Sequence, residues 1–192
     1  MTGIRGFAKR IRQYARRPDV ESITRRYFIL GAFDGALTIL GVILGAAASG
    51  NLDEKLVMSA GIGGGIALAI SSTVGAYEAE RIEAKVNGKE TGKRSMTTWQ
   101  GGYPKGYRIK ALLPALVHGI APLIAAIVPV VPFLLFDIKI AAIVSVALTL
   151  SFLFFMGLYL GSVVKERIIY TGIRFVLIGI VTSLMIVFLF GG

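Results

Sequence analysis

The chain has 192 residues, a formal net charge of +10 and no cysteine, and 55% of its residues are hydrophobic. A water-soluble domain of this length has too little polar surface to cover so many apolar residues, which fall in long runs and give a mean hydropathy of +0.73. The lack of cysteine excludes disulfides and thiolate metal ligands. The composition is typical of a membrane protein with several spans.

A basic segment, residues 1–26, precedes the first apolar run. Within it, Ile4, Phe7, Ile11 and Tyr14 recur at helical spacing, and basic residues occupy the other side. This pattern predicts an amphipathic helix on the cytoplasmic leaflet, in contact with anionic lipid headgroups. The alternative is a disordered basic tail that serves only to orient the protein.

Five apolar runs follow, and each is near the ~20 residues that a helix needs to cross a bilayer. They cover residues 27–49, 56–78, 110–136, 140–164 and 171–190. We therefore predict an all-α integral membrane protein whose five-helix transmembrane domain covers 27–192. The only long connection, 79–110, joins the second and third spans.

Lysine and arginine are distributed unevenly among the connections. Eight precede the first span, one lies in the turn after it, eight lie in the connection 79–110, and one lies in the following turn. Lys165 and Arg167 follow the fourth span, and the C-terminal tail has none. The positive-inside rule then predicts a cytosolic N-terminus and an external C-terminus, in the plasma membrane if the source is a prokaryote. Because the charge follows topology, we expect no nucleic-acid partner.

Asp34 is the one acidic residue inside the first span, where a charged side chain costs roughly 2.5–3.5 kcal/mol on insertion scales. Small residues lie on or beside its helical face, and they allow another helix to approach closely. We therefore expect Asp34 to face protein or a water-filled cleft. The small residues predicted to pack helices in the first two spans are Gly31, Gly35, Gly41, Gly45, Gly61, Gly65 and Gly75, and Thr38 adds a hydroxyl beside Asp34.

Further polar side chains lie toward the same side of the predicted bundle. Ser72 and a group of glutamates end the second span, and the only histidine lies in the third span at a depth similar to that of Asp34. Carboxylates suit hard divalent cations, and imidazole binds transition metals or carries protons. A solvated helix end and a packing histidine are the simpler alternatives. The candidate translocation path comprises Asp34, Thr38, Ser72, Glu78, Glu80, Glu83 and His118, with Asp34, Glu80 and Glu83 as metal ligands.

Four segments together resemble the vacuolar iron transporter family. FDGALTILGVILGAAA is similar to its first helix, and SSTVGAYEAERIEAK is similar to the end of its second. ALLPALVHGIAPLIAAIVPVVPFLLF resembles its third helix, and GIRFVLIGIVTSLMIVFLF resembles its last. The resemblance covers about 27–86 and 108–190, and the ordered set is more specific than any one segment.

The resemblance implies a five-helix homodimer that moves ferrous iron or manganese out of the cytosol in exchange for protons. It implies a path along the two-fold axis, with Asp34 projecting into it, and a transported metal rather than a resident cofactor. The chain departs from the family at two places. Ser72 and Ala76 occupy positions where the second helix usually has Met and Glu, and the connection 79–110 is shorter and more basic than the metal-binding domain of eukaryotic members.

A dimer would explain why a carboxylate is kept in the membrane. Two Asp34 side chains related by symmetry place two charges opposite a divalent ion, and without metal the close pair would share a proton. Metal entry would release that proton, which is one physical route to antiport. Two alternatives stay open: a non-transporting membrane protein that binds anionic lipid or a partner, with Asp34 paired to His118, and an exporter of a different solute. No serine–base, two-Asp or His-rich zinc motif predicts an intramembrane enzyme.

Overall fold

A computed structural model describes residues 18–90 and 107–191. The helices are α1 (Pro18–Ala48), α2 (Glu54–Glu90), α3 (Tyr107–Ile127), α4 (Ile138–Val164) and α5 (Ile168–Phe190), and a 3-10 helix (Val128–Leu134) follows α3 directly. All five α helices are long and apolar enough to cross a membrane, so the predicted five-span all-α fold is confirmed. The predicted surface helix before residue 18 lies outside the described residues. The orientation of the bundle and its pairing stay predictions.

The ends of the helices follow from local sequence. α1 begins at Pro18, nine residues before the predicted span. Proline suits the first helical position, because the backbone N–H that it lacks would have no helical partner there. Gly50 ends the turn after α1 with a φ of 71°, a left-handed conformation that favours glycine. Asp53 caps α2, since its carboxylate accepts a hydrogen bond of 2.9 Å from the Leu56 amide.

Prolines divide the third span into two kinds of helix. Pro114 and Pro122 lie inside α3 and are tolerated there, whereas Pro129 and Pro132 fall in the tighter 3-10 helix. Each proline removes a backbone donor. The Ser145 hydroxyl of α4 donates a hydrogen bond to the carbonyl of Pro129 across this break. The neighbouring helix therefore satisfies backbone that leaves the α-helical pattern inside the membrane.

α1 is the central helix, because it contacts all four of the others. It runs parallel to α3, since Gly31 meets His118 and Pro122 while Gly35, one turn later, also meets Pro122. A Cβ added at Gly31 would lie 2.6 Å from the carbonyl oxygen of His118. Real Cβ atoms essentially never approach that closely, so glycine is required for the α1–α3 contact.

The other helices alternate in direction. Gly61 of α2 packs on Ile39 of α1, and later in α2 Ala76 packs on Tyr27, earlier in α1, so these two helices are antiparallel. α4 and α5 are also antiparallel, with Gly157 of α4 against Gly172 of α5. This up-and-down order brings Arg26, Arg81, Lys110, Lys165 and Arg167 toward one end of the bundle and Lys55 and Lys139 toward the other.

Candidate functional site

Asp34 lies on an exposed face of α1, although α1 is the central helix of the chain. Among the described residues its carboxylate has no hydrogen bond or ion pair, and His118 is its electrostatic neighbour. A membrane-spanning segment that exposes a carboxylate places it either in lipid or against something other than the described helices. The cost of the first arrangement favours the second.

The surface around Asp34 is a strip of small residues along α1, here called the Asp34 strip: Asp34, Thr38, Gly41 and Gly45. The Thr38 hydroxyl donates a 2.7 Å hydrogen bond to the backbone carbonyl of Asp34, which leaves its oxygen lone pairs available as acceptors. A Cβ on Gly41 would meet only the Ile186 side chain at 3.7 Å, and a Cβ on Gly45 would meet nothing within 4 Å. The described helices therefore touch the strip only lightly at Gly41 and leave it open at Asp34 and Gly45.

Six of the seven predicted packing glycines fall into two groups, and the seventh, Gly41, has only the Ile186 contact. Gly31, Gly35, Gly61 and Gly65 are buried and lie against neighbouring helices of the same chain. Gly45 and Gly75 have nothing within 4 Å of an added Cβ, so the structure assigns them no packing contact within one chain. Sequence alone treats all of these glycines alike, because spacing does not show which neighbour a helix face meets.

His118 lies on α3 against the first half of the α1 span. Its Nδ1 is 2.8 Å from the backbone oxygen of Tyr27, and the two rings lie 5.0 Å apart. A carbonyl can only accept, so Nδ1 carries a proton and donates it to this hydrogen bond. In the neutral ring Nε2 then keeps its lone pair, which is the arrangement that lets a histidine bind a metal or accept a proton.

The glutamates of α2 fall into different environments. Glu78 is paired with Arg81, whose Nη1 lies 3.1 Å from both of its carboxylate oxygens. Glu80 interacts with the Tyr27 hydroxyl, and Glu83 is exposed. Tyr27 and Asp34 are seven residues apart in one helix, which is about 10 Å along its axis.

The predicted metal ligands Asp34, Glu80 and Glu83 do not come together within one chain. The described residues contain no group of three or more His, Cys, Asp or Glu side chains that could hold a metal ion. The arrangement instead places Asp34 at one level and the glutamates nearer the basic end of the bundle. A metal site centred on Asp34 therefore needs ligands beyond those that residues 18–90 and 107–191 of one protomer supply.

Ser72 is buried, and Ala76, one turn later in α2, packs with Tyr27 and Ala115. These two residues therefore face the interior of the protomer and not the Asp34 strip.

Tyr27 contacts both His118 of α3, through its backbone oxygen, and Glu80 of α2, through its hydroxyl, yet sequence reasoning missed it. A tyrosine at the start of a span is typical of an interfacial anchor, and its contact with His118 joins residues 91 positions apart.

Comparison with known proteins agrees with this architecture. The VIT family matches residues 25–101 and 94–191, which together contain α2 to α5 and all of α1 after its first seven residues. The chain is also similar to an uncharacterized protein of Methanocaldococcus jannaschii, with 38% identity over 157 residues, 79% of this chain and 80% of the relative. The VIT family is a family of membrane transporters. The chain therefore belongs to the VIT family and is an integral membrane protein with several spans.

Proposed function

We propose that the protein exports a divalent transition metal, iron or manganese, from the cytosol in exchange for protons, along a path between two copies of the chain. The observation that carries this proposal is the exposed Asp34 carboxylate on a strip of small residues in the central helix. Membership of the VIT family supports metal transport as the general activity.

A second copy of the chain is the partner that best fits the Asp34 strip. In a two-fold dimer the same surface of each protomer faces the other, so the two strips would lie opposite each other. Gly41 and Gly45 leave room for close approach of two helices, which is what drives association in lipid. The second copy would also remove the Asp34 carboxylate from lipid.

Two facing strips would supply ligands that the described part of one chain does not bring together. Each copy would contribute an Asp34 carboxylate and the acceptor oxygen of Thr38, and water would complete the coordination. Oxygen ligands bind Fe²⁺ and Mn²⁺ without thiolates, which this chain does not have. Two facing carboxylates repel each other when both are ionised, so the metal-free pair would keep a proton that metal binding releases.

The glutamates at the basic end of the bundle would serve as the entrance to this path. Glu80 is the best placed, because its contact is the neutral Tyr27 hydroxyl, whereas the Glu78 carboxylate is already paired with Arg81. His118 lies between this level and Asp34 and can pass a proton through Nε2. Asp34 and His118 are electrostatic neighbours but form no hydrogen bond or ion pair with each other in the described structure, which argues against the alternative in which Asp34 only pairs with histidine for packing.

The test is transport by the purified protein in liposomes that contain a pH-sensitive dye. We expect Mn²⁺ or Fe²⁺ to drive proton movement in the opposite direction, and Mg²⁺ to compete poorly. Liposomes without protein measure the passive leak of metal and protons across the bilayer. Metal uptake without any accompanying proton movement would contradict the antiport, and no uptake of either metal would contradict the transport function.

A further inference from the structure

A second site lies at the end of the bundle where α1 begins. A cleft of 370 Å³ opens between the first turns of α1, the start of α3 and the end of α4. None of its residues belongs to the Asp34 strip or to the proposed entrance. Its lining consists of Glu21, Thr24, Arg25, Phe28, Leu113, Val117 and Tyr159.

One end of this cleft is polar and incompletely satisfied. The Thr24 hydroxyl oxygen is buried and has no hydrogen-bond partner among the described residues. Arg25 reaches Glu21 only at 4.0 Å, the outer limit of an ion pair; the Arg25 side chain is partly exposed and the Glu21 side chain is exposed. A buried hydroxyl, a guanidinium and a carboxylate therefore line the same opening with capacity for further partners.

The other end of the cleft is apolar. Leu113 and Val117 of α3 form one wall, and Phe28 and Tyr159 pack edge to face across the opening with ring centroids 6.3 Å apart. The lining thus changes from charged to apolar in the direction that leads into the membrane-spanning part of α1. An amphipathic molecule with a polar head and a hydrocarbon chain matches this order of groups.

We propose that this cleft binds a membrane phospholipid whose headgroup carries both a phosphate and an amine. The phosphate would lie on Arg25 and accept a hydrogen bond from Thr24, and the amine would lie on Glu21. An acyl chain would follow Phe28 and Val117. The cleft pairs one positive with one negative side chain, so a headgroup with both charges matches it, whereas a purely anionic headgroup faces repulsion from Glu21.

The bound lipid would hold three helices together near Tyr27 and His118. It would contact α1 before the Asp34 strip begins, and α3 at Leu113 and Val117, of which Val117 directly precedes His118. This role requires only that the protein is embedded in a membrane. It does not depend on the proposed transport, and binding can be measured when no metal is present.

Native mass spectrometry of the full chain in detergent tests the proposal. The delipidated protein is incubated with phosphatidylethanolamine, phosphatidylglycerol or diacylglycerol, which has no headgroup phosphate. We expect one phosphatidylethanolamine per chain to be retained about tenfold more strongly than diacylglycerol, the size expected for a hydrogen-bonded charge. Phosphatidylglycerol should be retained less well than phosphatidylethanolamine.

Variants separate this cleft from general lipid adhesion. Arg25→Gln and Thr24→Val should each weaken retention of phosphatidylethanolamine. Glu21→Gln should raise the retention of phosphatidylglycerol to that of phosphatidylethanolamine. Arg174→Gln is the matched control, because Arg174 is exposed on α5 and outside the cleft. Equal retention of diacylglycerol and phosphatidylethanolamine by the wild-type chain would overturn the proposal. So would a loss in Arg174→Gln as large as in Arg25→Gln.

Discussion

The contact between α1 and α3 provides a sharp test of the architecture. In Gly31→Ala the new Cβ would lie 2.6 Å from the His118 carbonyl oxygen, 2.9 Å from Pro122 Cδ and 3.0 Å from His118 Nδ1. Two of these neighbours are backbone or proline ring atoms, which do not rotate away. Real Cβ atoms essentially never lie closer than 3.0 Å to such a neighbour, and the 2.6 Å separation is 0.4 Å shorter than this limit. The two helices must therefore move apart.

The expected cost follows from this overlap. Inserting a methyl group into a close-packed interface costs about 1–3 kcal/mol, and strain on the hydrogen bond between His118 and Tyr27 would add to it. For a chain of this size, each kcal/mol lowers the melting temperature by about 2–4 °C. Thermal unfolding in detergent, followed by circular dichroism, measures the effect in Gly31→Ala.

Gly63→Ala in α2 is the matched control, because it makes the same change inside a helix where nothing lies within 4 Å and outside the Asp34 strip. Alanine favours helix over glycine by about 1 kcal/mol, so this variant should be at least as stable as the wild type. If Gly31→Ala were as stable as Gly63→Ala, the close approach of α1 and α3 would be wrong.

Three further predictions concern the surface of the protomer. Gly45→Leu should leave the protomer folded, since only the Asp34 strip changes, but should shift the protein from dimer to monomer in light scattering. An unchanged dimer would show that the strip is not part of the interface. A single cysteine at Asn51 should react with membrane-impermeant maleimide from the outside of cells, and one at Glu83 only from the inside. The opposite pattern would show that the bundle has the reverse orientation in the membrane. Glu80→Gln should slow metal flux in liposomes, whereas Glu78→Gln should change the flux little. The exposed ion pair of Glu78 with Arg81 contributes only about 0–1 kcal/mol to stability, so its loss should leave the fold intact. Equal effects of the two variants on flux would show that Glu80 has no special role at the entrance.

The fold was largely predictable because the membrane imposes simple rules on sequence. Runs of about 20 apolar residues must be helices, since no backbone polar group can stay unpaired in hydrocarbon. The start of α1 was less predictable, because residues 18–26 are polar enough to look separate from the span. The 3-10 helix was also outside the pattern, because hydropathy treats 110–136 as one span, while Pro129 and Pro132 each remove a backbone donor within it.

The candidate site was only partly predictable. The isolated charge of Asp34 identifies it from hydropathy alone, but hydropathy cannot tell which side of α1 the neighbouring helices cover. Glycine spacing therefore did not separate Gly31, which holds α3, from Gly45, which lies open. The role of Tyr27 depends on contacts with two other helices, and a single sequence has no local signal for contacts of that kind.

The most direct measurement of the central claim is metal flux by a folded Asp34→Asn protein in liposomes. Asn keeps the size of the side chain and removes its charge and its titratable proton. We predict that the variant still forms a dimer, that flux of Mn²⁺ or Fe²⁺ falls by orders of magnitude and that metal-driven proton release disappears. Asp34→Glu should keep part of the activity, and Asp137→Asn, at an exposed aspartate in the turn before α4, should keep all of it. Wild-type flux through a dimeric Asp34→Asn protein would contradict the account.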